Sequence, residues 1–539
     1  DKTGPGSRPL LNGTLDIGDG EVTILKSELD GVDIEIAVVR PVVPAGTKVP
    51  IIGQASPYFS IMTADNVKAQ GSWLVSQFVP HGYAYAAISA RGTAGSGGCM
   101  DLFGPKERVD LDQAVTWLGT QDWSNGNVAL IGISYDGSTP WQVAALGNPY
   151  LKTIVPVEGI TDYFRLNFRN GTFNSFGAGG EMVYYLPGIE PERLDLTAAD
   201  INCPEMRLAA QSLEYSTVTG THDPWGFWAA RDVTQLVLEN YRGSVFVAQG
   251  FRDDNVDPAM VTPLVNRLEE RGAAVKQLWG QWYHSWADGA AGAGKRWDWH
   301  EMLLHWFDYW LKEDHTVDLG PQAHVQDSSE KWRQEESWPP NDSNPVAFEL
   351  SFDGRLTTEG DARSGSLPVS MSVPQNGGGS TTGDPYNWAD LICPQCPTFL
   401  TPAFESDFRF AGQPTVHMTV TPRGPGGYVA AHLFSVDAQG SAAQVLGMGG
   451  GIRLAFADGS LTPKPVTPGQ PLLAKLELMP MDAVVPSGHR LMLVVHQGGF
   501  ESQMPPPDPG VVSVDLGGGK SVLTVRAFER GEDAFFLPP

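Results

Sequence analysis

Cysteine and positive charge are both scarce in this chain. Only four cysteines, Cys99, Cys203, Cys393 and Cys396, stand among 539 residues. A disulfide-built miniature scaffold is therefore excluded. A sparse, even count fits two bridges formed in an oxidising compartment. Cys393-Pro-Gln-Cys396 can close a short loop, which leaves Cys99 for Cys203. No second Cys or His pair lies near that C-x-x-C to complete a zinc site. Lys and Arg number 36 against 62 Asp and Glu, a formal net charge of −26. Such acidity opposes nucleic acid and anionic lipid as partners. No run approaches the ~20 apolar residues that cross a bilayer. The chain opens at Asp1 without a basic or apolar leader, as a processed, secreted protein would.

Hydrophobic residues make up 41% of the chain and aromatics 10%, with 16 Trp. That is enough to fill large cores, and the length calls for more than one. Residues 1–155 alternate strand and helix. Short apolar runs at Ile34–Val39, Val49–Gln54, Tyr83–Ile88 and Asn127–Gly132 read as strands, and Arg108–Leu118 as an amphipathic helix. This alternation predicts a mostly parallel sheet with helices on both faces. Residues 156–240 lose the pattern and read as an inserted, partly helical cap. It resumes over 241–340, with strands at Ser244–Gly250 and Val275–Gly280, and helices at Pro258–Arg271 and Trp299–Lys312. Beyond Trp338-Pro339-Pro340, residues 341–539 hold short alternating runs split by Gly and Pro. They predict a β-sandwich or jelly roll.

One motif carries chemistry. Strand Val128–Gly132 runs into Gly132-Ile133-Ser134-Tyr135-Asp136-Gly137, and a helix continues through Trp141–Leu146. A strand–turn–helix elbow exposes a serine at the tip of a sheet. Small residues are needed there because the backbones crowd. The usual pattern is G-x-S-x-G, whereas here Asp136 holds the fifth position and glycine comes one later. A hydroxyl needs a base to take its proton and an acid to orient that base. The α/β-hydrolase chain order is Ser, acid, His. Asp253, in Gly250-Phe251-Arg252-Asp253-Asp254-Asn255-Val256, follows one predicted strand, and His284 follows the next. Asp254 competes with Asp253, which is preferred. Asp257, before Pro258, reads as a helix cap. Of the eleven histidines, His284 alone has this order and a strand-end position.

Several ordered blocks resemble the X-Pro dipeptidyl-peptidase and cocaine-esterase family. They are Arg91-Gly92-Thr93 with Ser96 and Gly98, Asp122-Trp123-Ser124-Asn125-Gly126, the Ser134 motif, and Trp306-Phe307-Asp308-Tyr309-Trp310-Leu311-Lys312. The resemblance implies an α/β-hydrolase core, an inserted helical cap and a C-terminal jelly roll. It also implies an oxyanion hole made by the Tyr58 hydroxyl and the Tyr135 N–H. Gly177-Ala178-Gly179-Gly180-Glu181 resembles the peptidase segment whose glutamate holds the substrate amine, although two residues between the glycines and the glutamate are missing. Phe227-Trp228-Ala229-Ala230-Arg231-Asp232 resembles another peptidase block. Tyr163, Tyr184 and Trp225 are candidates for an aromatic pocket around proline. The expectation is a serine hydrolase acting on small peptides or esters without a cofactor or metal. X-Pro dipeptide release is preferred over simple ester hydrolysis, α-amino acyl ester or β-lactam acylation, and a jelly-roll binding protein.

Overall fold

Buried residues at successive strand positions build a sheet that is covered on both faces. The computed structural model describes residues 8–174, 204–289, 295–369, 396–440, 443–498, 503–506 and 508–536. Its larger sheet contains β1 (Ile17–Lys26), β2 (Asp33–Pro41), β3 (Val49–Ser56), β4 (Ala84–Ser89), β5 (Ser124–Ile133), β6 (Leu151–Val157), β7 (Ser244–Gly250), β8 (Val275–Gly280), β9 (Ala323–Gln326) and β10 (Trp332–Glu335). The spatial order is β1-β2-β4-β3-β5-β6-β7-β8-β9-β10, and Phe535–Phe536 pairs outside β10. From β4 to β9 every pairing is parallel. The outer pairings are antiparallel.

Each face carries its own core. On one side Ile36, Ile88, Val128, Leu130, Ile154 and Val245 pack with Leu111, Ala114, Val115 and Leu118 of α2 (Pro105–Gly119) and with α7 (Thr262–Glu270). On the other, Val39, Tyr85, Ala129, Ile131, Val155 and Phe246 meet α1 (Ser72–Phe78) and Trp299, Leu303, Trp306 and Phe307 of α8 (Trp299–Leu311). A side chain of this size stabilises the fold by about 1.5–3 kcal/mol when fully buried. The helices α3 (Tyr135–Ala144), α4 (Tyr163–Asn167), α5 (Pro204–Thr219) and α6 (Thr234–Asn240) complete the set used below.

Among the described residues, most strands from Asn344 to Phe528 fall in a nine-stranded and a five-stranded sheet with antiparallel pairing. Val416, Met418 and Val420 of one and Leu433, Leu493 and Val495 of the other share one apolar core. Buried ion pairs tie this β-rich domain to the larger sheet. The Arg333 guanidinium on β10 grips Asp482 with both of its outer nitrogens, and both side chains have no exposure. Arg409 donates to Asp327 at 2.7 Å. Among the described residues no helix is long and apolar enough to cross a membrane.

Candidate active site

The elbow forms because two backbones approach closely on either side of Ser134. This residue adopts φ 64°, ψ −124° between β5 and α3. Holding a non-glycine residue there costs of order 1–3 kcal/mol, a strain typical of functional turns. A Cβ on Gly132 would lie 2.2 Å from the Asp136 carbonyl oxygen, and one on Gly137 would lie 2.2 Å from that of Val157. Glycine at 137 is thus fixed by contact with β6. Asp136 is accommodated because its carboxylate turns toward β3 and accepts from Gln54 Nε2 at 2.8 Å. The Ser134 N–H donates to Val157 O at 3.0 Å, and Ser138 Oγ donates back to Ser134 O at 2.7 Å.

The sheet register brings the other groups to the same end. Ile133 lies beside Val157, Val157 beside Ala248, and Gly250 beside Gly280. The segments that follow β5, β6, β7 and β8 therefore emerge side by side, and they carry Ser134, Glu158, Asp253 and His284. Phe251 N donates to Gly280 O at 2.8 Å and Arg252 N to Trp282 O at 3.1 Å, which couples the last two loops. Asp253 is fully buried. Its Oδ1 accepts from Asn255 N and Val256 N, each at 3.0 Å, and its Oδ2 lies 2.8 Å from His284 Nδ1. In the neutral imidazole, with its Nδ1 proton donated to Asp253, Nε2 carries the lone pair. Its side chain is 25% exposed. Burial opposes the imidazolium, but the Asp253 and Glu158 carboxylates outweigh it and hold the histidine well above its ordinary range.

Glu158 was not anticipated from the sequence. It has no exposure, and its Oε2 sits 3.1 Å from the same His284 nitrogen. Trp282 Nε1 donates to its Oε1 at 3.0 Å. Burial first, then the neighbouring Asp253 charge, pushes this carboxyl up to about 8. The available signal was an acid directly after a strand neighbouring the nucleophile strand. That strand, Leu151–Val157, contains Pro156 and was not read as one. The Glu158, Asp253 and His284 side-chain atoms all lie within 4.8 Å of one another, so the three form one compact acid–histidine cluster.

Of the two expected oxyanion donors, Tyr58 follows β3 and is 36% exposed. Its ring stands edge-on to that of Tyr135, with centroids 6.2 Å apart. Tyr135 is the first residue of α3, so its backbone N–H faces out of the helix N-terminus. Its side chain anchors the elbow from below. It stacks on Phe103 at 3.9 Å and donates to Glu107 Oε2 at 2.7 Å.

The expected proline pocket is only partly represented. Glu181 and Tyr184 lie outside the described residues, as do Cys203 and Cys393 and hence both expected disulfide pairings. Tyr163 is fully buried among Phe103, Phe227 and Trp228, so its ring serves the insertion's core and offers solvent no surface. Trp225 is 51% exposed and meets Tyr215 edge-on at 5.7 Å. Asp257 is not the cap of α7, which starts at Thr262 after Val261. It is instead buried and accepts from Arg169 Nη2 at 2.6 Å, because the helix begins only where Pro263 can occupy its first turn.

Comparison with known proteins follows this geometry. Residues 30–286 match the model for X-Pro dipeptidyl-peptidase (S15 family), and residues 315–525 match that for the X-Pro dipeptidyl-peptidase C-terminal non-catalytic domain. A Streptomyces avermitilis protein assigned as an Xaa-Pro dipeptidyl-peptidase is 25% identical over 575 residues, covering 93% of this chain and 80% of its own. Cocaine esterase from a Rhodococcus species is 31% identical over 155 residues, 28% of this chain and 25% of its own. A CocE/NonD family hydrolase of Staphylococcus aureus superposes with a TM-score of 0.72 at 17% identity, covering 95% of this chain and 93% of its own.

Proposed function

Because the chain belongs to the X-Pro dipeptidyl-peptidase and cocaine-esterase family of α/β-hydrolases, a family of serine hydrolases, we propose that it releases Xaa-Pro dipeptides from the N-termini of small peptides. Ser134 is the nucleophile, His284 the general base and Asp253 its orienting acid. The observation that carries this reading is the 2.8 Å Asp253–His284 contact, at the same sheet end as the strained Ser134 elbow.

In this mechanism Ser134 Oγ attacks the carbonyl after proline and passes its proton to His284 Nε2. The oxyanion is met by the Tyr58 hydroxyl and the Tyr135 N–H. The C–N bond then breaks, His284 returns the proton to the leaving amine, and a water activated by the same histidine hydrolyses the acyl-enzyme. Glu181 is assigned to the substrate ammonium, since a buried cation needs a paired carboxylate. Tyr58→Phe is expected to lower kcat by about 10²–10³ with little change in KM, the usual cost of one oxyanion donor. Steady-state kinetics on the best substrate check this.

The direct experiment compares Gly-Pro and Ala-Pro p-nitroanilides with p-nitrophenyl butyrate. Cleavage of the X-Pro anilides, lost on N-acetylation, supports the peptidase. Rapid ester turnover without anilide cleavage replaces it with ester hydrolysis. That second reading draws on the match with cocaine esterase over part of the chain.

A further inference from the structure

His284 Nδ1 carries one N–H, yet two carboxylates face it. Asp253 Oδ2 stands at 2.8 Å and Glu158 Oε2 at 3.1 Å. The second acid sits in a built position. Glu158 has φ +48°, a strained conformation for a residue with a side chain. Its N–H donates to Ala248 O at 3.0 Å, joining it to β7. The next residue must be glycine, since a Cβ on Gly159 would lie 2.3 Å from Gly137 O on the elbow helix. Trp282, which holds Oε1, lies across two further glycines. A Cβ on Gly280 would fall 1.7 Å from its ring, and one on Gly250 2.3 Å from its carbonyl oxygen.

All this support presents one oxygen, Oε2, that accepts no hydrogen bond of ordinary geometry among the described residues. After burial, the charges of both neighbours act on Glu158, Asp253 raising its pKa and His284 lowering it. Two like charges cannot both be held cheaply in such a space, so one acid keeps its proton while the other carries the charge. Asp253, with two backbone N–H donors on its other oxygen, is the better anion.

We propose that Glu158 is a second acid for His284, a positioning residue that flanks Nδ1 beside Asp253 and becomes the acceptor of its N–H when Asp253 is neutralised. The inference rests on the Ser134–His284–Asp253 reading. Burial and the neighbouring Asp253 carboxylate push the Glu158 carboxyl up, so Glu158 is the acid that holds a proton in the resting site. If Asp253 loses its charge, Glu158 releases its proton to solvent and takes the histidine hydrogen bond. The imidazole thereby keeps the tautomer that leaves Nε2 basic.

The test is a four-enzyme cycle of wild type, Glu158→Gln, Asp253→Asn and the double variant, measured as kcat/KM on whichever chromogenic substrate the wild type turns over. Losing the orienting acid of such a triad alone costs about 10⁴ in kcat. Asp253→Asn is expected to cost at least tenfold less than that, and at least tenfold more when Glu158→Gln is already present. The low-field proton resonance of Nδ1–H should survive in Asp253→Asn and vanish in the double variant. An equal, full loss on both backgrounds overturns the role of Glu158 and leaves the triad intact. No loss on either background overturns the triad itself. Should Glu158→Gln not fold, the resonance in Asp253→Asn decides alone: present supports the second acid, absent refutes it.

Discussion

Ser134→Ala is expected to lower kcat by about 10⁶ and to leave the melting temperature unchanged. The two halves have separate physical reasons. The hydroxyl is the only group the mechanism asks to attack, and a methyl cannot replace it. The fold, by contrast, does not lean on that hydroxyl. Ser134 stands at the N-cap of α3 but makes no side-chain capping bond. The bonds that hold the turn use its N–H and carbonyl, and alanine retains both. Alanine also has no more trouble than serine at φ 64°. Turnover kinetics and thermal denaturation on one preparation check both halves. Retained activity would place the nucleophile elsewhere.

Asp482→Ala is expected to destabilise the protein by about 3–5 kcal/mol, the range for breaking one side of a buried ion pair. Arg333 would be left with no exposure, keeping the bond from its Nε to Glu335 Oε1 at 2.7 Å. Trp338 Nε1, which donates to the same carboxylate at 3.0 Å, would lose its acceptor too. The position also bears on the catalytic end. Asp482 O accepts from Ser328 N at 2.9 Å, and Gln281 N, three residues before His284, donates to Gln326 Oε1 at 2.8 Å. Urea unfolding measures the loss, and a shift under about 1 kcal/mol would refute the argument. Asp482→Asn keeps the shape without the charge and should fall between the two.

Most of the central sheet was legible because its strands are short and mostly apolar. Ser244–Gly250 and Val275–Gly280 match the observed strands end to end. Strand β1 was missed because it is a polar edge strand, with one fully buried position along its length. Strand β6 was missed because Pro156 reads as a breaker. It is tolerated opposite Gly132, near the strand end. The choice of Asp253 over Asp254 could be argued from loop position, and the geometry agrees through the His284 bond. Glu158 stayed hidden for a different reason. A carboxylate beside a histidine is a property of strand register, and one chain read in order does not display which strand ends become neighbours. The displaced glycine of the elbow had the same origin, since its cause is the Val157 carbonyl on another strand.

The short strand Phe535–Phe536 closes the outer edge of the hydrolase sheet against β10. The ribosome makes that edge strand only after the β-rich domain that precedes it in the chain. During synthesis β10 must therefore wait with an open flank, and open flanks recruit other chains. Arg333 and Arg409, whose guanidiniums lie over Phe528 and Phe535, give the arriving segment cationic faces to settle on. Nascent chains halted before this segment should accumulate as aggregates even when every catalytic residue has already been made.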